Sequence, residues 1–337
     1  MKSFTKILII SHQYYPIIGG VPVVAHLLSQ ALADLGYLVK LVTNTPNSNS
    51  EFNVKSNGFT VYRQIGIFSL LCQYLWAEAI LMIGPSVRSG WPAFLLNKQL
   101  LISHQAGVPQ GWLQRQLTSR AINVACSQYL AKEVGFNCIG ISNPFDSSLF
   151  RTDQPDLAQK DREWVFVGRL IPQKGVDIFL KAIAILNDKG IHSQGTVIGD
   201  GDSVESLKEL STTLNINFLI DFTGPLVGES LRAMLRRHKF GVIPSIGAEP
   251  FGIVALELIA CGCIVLASNV GGLPEAVGKC GLLFESGNPQ ALAELMLTIR
   301  NDPDLQRRLK QEANEHLIKS TPEYVAKAYL KTLYLNL

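Results

Sequence analysis

Two glutamates, Glu249 and Glu257, are separated by seven intervening residues in the run EPFGIVALELIACGCIVLASNVGGLPEAV, residues 249–277. An ionised carboxylate accepts two hydrogen bonds at once, which suits a pair of vicinal hydroxyls. Between the two acids a Pro-containing loop passes into an apolar helix. Free amides at a helix start, aided by the helix dipole, suit a bound anion such as phosphate. A phosphate site beside a polyol site reads as a site for a sugar nucleotide. Gly262 is placed to end that helix, since glycine accepts the left-handed conformation a C-cap favours. CIVLAS then reads as a buried strand, and Gly271-Gly272 as a turn into a further helix. The plainer reading of two glutamates at this spacing is a pair of solvated helix positions, and the flanking PS, EPFG and VGGLPE weigh against it.

The Glu, seven residues and Glu, set in EPFG and followed by an apolar helix and CGCIVLAS, resembles the retaining GT-B glycosyltransferases of family 4. The resemblance implies an α/β fold of two Rossmann-like doubly wound domains facing across a cleft. It implies transfer of a hexosyl unit from a nucleotide sugar to an acceptor hydroxyl with retention. UDP is the commonest donor nucleotide in that family, with GDP and ADP as alternatives. Arg169 and Lys174, in GRL…KG, match the residues that bind the donor diphosphate. Both follow a strand's carboxyl end, and two cations on a diphosphate can neutralise leaving-group charge in place of a metal. No cofactor and no metal is therefore expected. On the same reading Glu257 accepts from the ribose hydroxyls, and Glu249 from those of the sugar, with the amides of Phe251, Gly252 and Ile253 completing the grip. Gly224 to Leu226 border the base, and the strand FGVIPS delivers Ser245 and Glu249. Gly19-Gly20 resembles the family's N-terminal loop facing the donor diphosphate and the acceptor. His104 matches the family histidine near the transferred sugar; a surface or capping imidazole is its other reading. ISNPFDSSLF resembles the segment leading out of the first domain through Asn143, Asp146 and Phe150, with Pro144 where glycine is usual.

The elements that must hold these residues follow a βα rhythm. KILIIS, a glycine-containing loop, VPVVAHLLSQALADLG and YLVKLVTN form a strand, loop, helix and strand, the start of a right-handed doubly wound sheet. FTVYRQI, ILMIGPS, QLLISHQ and INVACS read as further strands, and Ser127 as an N-cap. Residues 44–60 read as a surface loop, and RTDQPDLAQKDRE, residues 151–163, as the interdomain linker. At 337 residues two domains are the natural prior. We place a Rossmann-like acceptor-binding domain at 1–150 and a nucleotide-sugar-binding domain at 151–320. The resemblance implies that the last helix, 321–337 with Thr321 as its N-cap, packs back on the first domain.

Composition narrows the alternatives. Hydrophobic residues make up 47% and charged residues 17%, as buried parallel strands require. The six cysteines form no CxxC pair, so buried thiols in a reducing, cytoplasmic compartment are expected. GIFSLLCQYLWAEAILMIG is interrupted by Gln73 and Glu78 and reads as a helix followed by a buried strand, not a membrane span. No signal peptide is read at the N-terminus. Residues 1–150 hold 10 Lys and Arg against 5 Asp and Glu, a net +5, without a local basic cluster. That excess fits scattered solvated side chains, leaves peripheral membrane contact open and does not point to nucleic acid. His12, Tyr14, Tyr15, Trp91 and Trp112 are candidates for an aromatic acceptor subsite, although core packing explains aromatics more often. The acceptor stays open among a small molecule, a lipid-linked sugar and a polysaccharide. GDGDSV breaks the dinucleotide fingerprint, since position 204 is Val where a third glycine would fall, and this disfavours a nicotinamide oxidoreductase. A nucleotide-sugar epimerase of related shape and a non-catalytic nucleotide-sugar-binding protein are the remaining rivals.

Overall fold

A computed structural model describes residues 4–47, 58–150 and 160–335. The centre of the surface loop (48–57) and most of the linker (151–159) lie outside the described residues. The chain divides into two units, residues 1–146 with 319–337, and residues 147–318.

The first unit runs β1 (Lys6–Ser11), α1 (Gly20–Asp34), β2 (Leu38–Thr43), β3 (Phe59–Arg63), α2 (Ile67–Trp76), β4 (Ala79–Ile83), α3 (Val87–Gly90), α4 (Pro92–Leu95), β5 (Gln99–His104), α5 (Trp112–Ser119), β6 (Ile122–Ala125), α6 (Gln128–Val134) and β7 (Ile139–Gly140). Its strands are all parallel, in the order β3-β2-β1-β4-β5-β6-β7. The order reverses between β1 and β4, the place where doubly wound sheets open a crevice. Ile7, Leu8, Ile9 and Ile10 of β1 are buried, because a central parallel strand is covered on both faces. Ser127 caps α6 by accepting from the Leu130 amide. The C-terminal helix, Pro322–Tyr334, begins on Thr321, whose side chain accepts from the Tyr324 amide. This helix belongs to the first unit: Tyr329 Oη lies 2.8 Å from Ser103 Oγ, and the Tyr334 ring stacks on Phe4 at 4.6 Å.

The second unit runs β8 (Arg162–Val167), α7 (Val176–Asp188), β9 (Gly195–Ile198), α8 (Val204–Thr213), β10 (Ile220–Gly224), α9 (Gly228–Arg236), β11 (His238–Ile243), α10 (Ile253–Ala260), β12 (Ile264–Ser268), α11 (Leu273–Val277), β13 (Gly281–Phe284), α12 (Pro289–Asn301), α13 (Pro303–Gln311) and α14 (Ala313–Ile318). Arg162 and Glu163, read from sequence as linker, are the first residues of β8, because Trp164 to Phe166 extend the strand into the core. The sheet is parallel in the order β10-β9-β8-β11-β12-β13, so its reversal lies between β8 and β11. Trp164 and Phe240 face each other across that pair and stack at 4.5 Å. This aromatic contact anchors the two strands from which the site loops leave.

Candidate active site

Two loops leave the carboxyl ends of β8 and β11 side by side. The first carries Arg169 and, through a short 3₁₀ turn at Pro172–Lys174, ends at Lys174 and Gly175. The second carries Ser245 and Glu249 into α10. They converge: Lys174 Nζ donates to Glu249 Oε2 at 2.5 Å, and Ser245 Oγ approaches the same oxygen at 3.4 Å. Both charged side chains are about one-fifth exposed, at 23% and 21%. A charge-assisted contact at such partial burial is stronger than a surface ion pair.

Two glycines allow this approach. A Cβ on Gly175, whose φ is +67°, would stand 2.0 Å from the Pro244 carbonyl oxygen. One on Gly271, at φ +57°, would stand 2.2 Å from the Glu249 carbonyl oxygen. The adjoining Gly272 amide donates to that same oxygen at 2.7 Å. The Gly271-Gly272 turn is thus more than the entry to α11: it presses against the backbone of Glu249 and sets its height. The Ile246 amide on the Gln173 carbonyl at 2.9 Å joins the two loops, and Ser286 Oγ, just after β13, donates to the Ser245 carbonyl at 3.1 Å. Sequence reading placed Gly175 in the KG pair that precedes a helix, without the close approach that requires it, and did not single out Ser286.

The remaining residues of this unit fall as follows. Arg169 is exposed on the β8 loop and forms no ion pair among the described residues. Phe251 is buried, Gly252 is the N-cap of α10 at φ +105°, and Ile253 is its first residue. The first amides of such a helix lack intrahelical partners by construction. Glu257 lies one turn further along α10, half-buried. Gly262 ends α10 at φ +76°, with its amide on Ile259 and the Cys263 amide on Leu258, both at 2.9 Å. That paired closure is the Schellman arrangement. Gly224 closes β10, its carbonyl accepting from the Gly199 amide at 3.0 Å, and Leu226 follows half-buried in the next loop. Asp200-Gly201-Asp202 has the spacing of a DxD metal motif, which sequence reading overlooked. Asp200 accepts from the Gly201 amide at 2.8 Å, and no group of three His, Cys, Asp or Glu among the described residues could hold a metal.

In the first unit Gly19 and Gly20 lie exposed at the start of α1, after β1 at that sheet's own reversal. His104 closes β5 and is fully buried, which rules out the surface imidazole. Its Nε2 lies 3.0 Å from Asn123 Oδ1, while Nδ1 has no partner. Burial, the largest cause, lowers its pKa and favours the neutral ring, opposed by the Asn123 contact. Tyr14, a candidate subsite aromatic, is instead a core residue bonded to His26 Nδ1 at 2.8 Å. Trp112 is exposed at 70%.

A cavity of about 400 Å³ opens at the amino ends of β8, β9 and β10, beside Arg162, Asp221, Asp161 and Arg237. Its charges are already paired, Arg162 with Asp221 and Arg237 with Asp161, so it presents no counterpart to the loop site. No helix among the described residues is long and apolar enough to cross a membrane. All six cysteines are free thiols.

Residues 150–316 match the family model described as Glycosyl transferases group 1. An uncharacterized glycosyltransferase of Methanocaldococcus jannaschii is 37% identical over 153 residues, covering 45% of this chain and 42% of the relative. The D-inositol 3-phosphate glycosyltransferase of Corynebacterium glutamicum (strain R) is 35% identical over 159 residues, covering 45% of this chain and 38% of the relative. The matched part thus spans about two fifths of these curated relatives. Among solved structures, Anabaena HepE in complex with UDP superposes with a TM-score of 0.81 at 18% identity, over 98% of this chain and 100% of that one. Sucrose-phosphate synthase of Thermosynechococcus elongatus superposes at 0.71 and 22%, over 98% of each chain. These likenesses establish the fold: two Rossmann-like parallel-sheet units, the GT-B fold.

Proposed function

We propose that this chain, whose residues 150–316 form a group 1 glycosyltransferase domain, moves a hexosyl unit from a nucleotide sugar to an acceptor hydroxyl with retention and without a divalent metal. The observation that carries the reading is the Lys174–Glu249 contact of 2.5 Å at the reversal of the second sheet. An acid and a base meet where open α/β sheets bind ligands. UDP is the donor nucleotide we favour, since UDP is bound in the HepE structure.

In this mechanism the donor diphosphate lies against Lys174, Arg169 and the amides of Phe251, Gly252 and Ile253 at the start of α10. The two cations neutralise the charge that develops on the departing diphosphate, which needs charge stabilisation more than a proton. Glu249 accepts from hydroxyls of the sugar and Glu257 from those of the ribose. Lys174 and Glu249 contact each other, and in the proposed complex the diphosphate takes the ammonium while the sugar takes the carboxylate. Gly224 and Leu226 border the base. The histidine reading rests on the resemblance alone, since the unpartnered Nδ1 of His104 is itself buried. Gly19 and Gly20 serve the donor diphosphate and acceptor side. No side chain is assigned as an enzymatic nucleophile; attack on the same face, assisted by the leaving phosphate, is the route we favour.

The test is a thermal-shift and calorimetric screen of UDP, GDP and ADP and their sugars, since a ligand of the folded state raises its apparent stability. Saturable binding of one diphosphate, with the product anomer keeping the donor configuration by NMR, is the expected outcome. Failure of all three nucleotides to bind overturns the reading.

A further inference from the structure

One face of the first sheet is covered by α2, α4 and α5, which bury Leu70, Tyr74, Ala93 and Leu117 in a common core. Tyr74 Oη of α2 donates to the Ser89 carbonyl of α3 at 2.6 Å, and the Arg120 guanidinium, just after α5, lies 5.7 Å from the centre of the Phe94 ring on α4. The outward side of such a layer is ordinarily polar. Here it is apolar. Phe68 (82%) and Leu75 (63%) on α2, Leu95 (73%) on α4, and Trp112 (70%) and Leu113 (58%) on α5 stand in solvent. Residues 66–77 hold no charged side chain, and residues 79–132 hold no Asp or Glu. Arg88, Arg115 and Arg120 are exposed in that acid-free stretch and have no carboxylate partner among the described residues. Arg88 lies on α3, Arg115 on α5, 6.0 Å from the centre of the Phe136 ring, and Arg120 directly after α5.

We propose that this face docks on the surface of an anionic phospholipid bilayer. Exposed apolar side chains enter the interface, and the arginines around them meet the phosphates of the headgroups. A second copy of the chain fits less well. A two-fold contact would set the same patch against itself, arginines facing arginines with no acid to separate them. At ten residues α2 is too short to span a bilayer, so the contact lies in the interface plane.

The full chain is floated with vesicles of phosphatidylcholine alone and of phosphatidylcholine with about one-third phosphatidylglycerol. The expected result is partition onto the anionic vesicles, weakened by salt, with a blue shift of tryptophan fluorescence that Trp112→Phe removes. Arg88→Gln/Arg115→Gln/Arg120→Gln should lower the partition coefficient on the order of a hundredfold. Phe68→Ser/Leu75→Ser/Leu95→Ser should lower it at least as far, with melting temperatures near that of the wild type. If a variant fails to fold, bromine-labelled lipids on the wild-type chain replace it, and Trp112 should then be quenched. No binding to anionic vesicles at low salt overturns the proposal. So does concentration-dependent dimerisation that the apolar variant abolishes, in sedimentation without lipid. Neither outcome bears on the nucleotide screen of the second unit, so the two readings fail separately.

Discussion

The Lys174–Glu249 contact lends itself to a double-mutant cycle. Lys174→Met keeps the aliphatic stem and removes the charge; Glu249→Gln keeps the shape and removes the anion. With both side chains about one-fifth exposed, their coupling in stability should exceed the fraction of a kcal/mol typical of surface pairs. It should stay below the 3–5 kcal/mol lost when a deeply buried pair is broken, so about 1–2 kcal/mol is expected. That is read as the interaction energy of the four urea-unfolding curves. The catalytic effect should be larger, because Lys174 stabilises charge that develops only as the diphosphate departs. Each single substitution should cost about 2–4 kcal/mol of transition-state stabilisation, roughly 30- to 1000-fold in kcat/KM, read as UDP released from UDP-glucose. The cycle separates two roles. If the pair only holds two loops together, activity should fall in proportion to stability and either single variant should bind UDP normally. Two single variants with kcat/KM within about twofold of the wild type would refute the site.

Gly271→Ala should lose about 2–4 kcal/mol of stability, from a left-handed φ and a Cβ placed 2.2 Å from the Glu249 carbonyl oxygen, and should abolish sugar-nucleotide binding in calorimetry. Gly287→Ala, also left-handed at φ +75° but with open space around it, should cost only about 1 kcal/mol in the same unfolding assay and leave binding intact. Treatment with EDTA should leave turnover unchanged; a strict divalent requirement would contradict the two-cation account. His238 is buried between Met234 and Thr196, and burial, the largest cause, lowers its pKa to about 4. The folded protein therefore favours the neutral ring. That stabilisation is complete above the unfolded pKa of about 6.5 and is lost as the pH falls toward 4, by about 3 kcal/mol. His238→Gln should flatten the acid limb of the urea midpoint plotted against pH.

Much of this was legible before any coordinates. Apolar runs such as Ile7–Ile10 and Ile264–Ala267 can only be strands buried on both faces, and the alternation of such runs with amphipathic segments prescribes parallel sheets. Ser127 and Thr321 announce their helices because a hydroxyl must satisfy an orphan amide, and the structure shows both doing so. Lys174 and Glu249 were legible as residue types at the ends of strands, as a base and an acid with a use for phosphate and hydroxyls. Other features were not legible. Nothing in the local pattern says that β8 and β11, separated by two βα units, are neighbours; strand order is a long-range property set by how the apolar faces pack. Only that order brings Lys174 to 2.5 Å from Glu249. The same holds for Gly271, whose need for a missing Cβ comes from the Glu249 backbone and not from its own turn. His104 looked the same on paper whether exposed or buried, and packing made it a core residue with one unsatisfied nitrogen. The sequence by itself determined which segments become strands and helices and which side chains carry charge, because those are matters of local period and chemistry. Which of those side chains meet was decided by the tertiary structure, because contact across a sheet depends on the packing of residues that never adjoin in the chain.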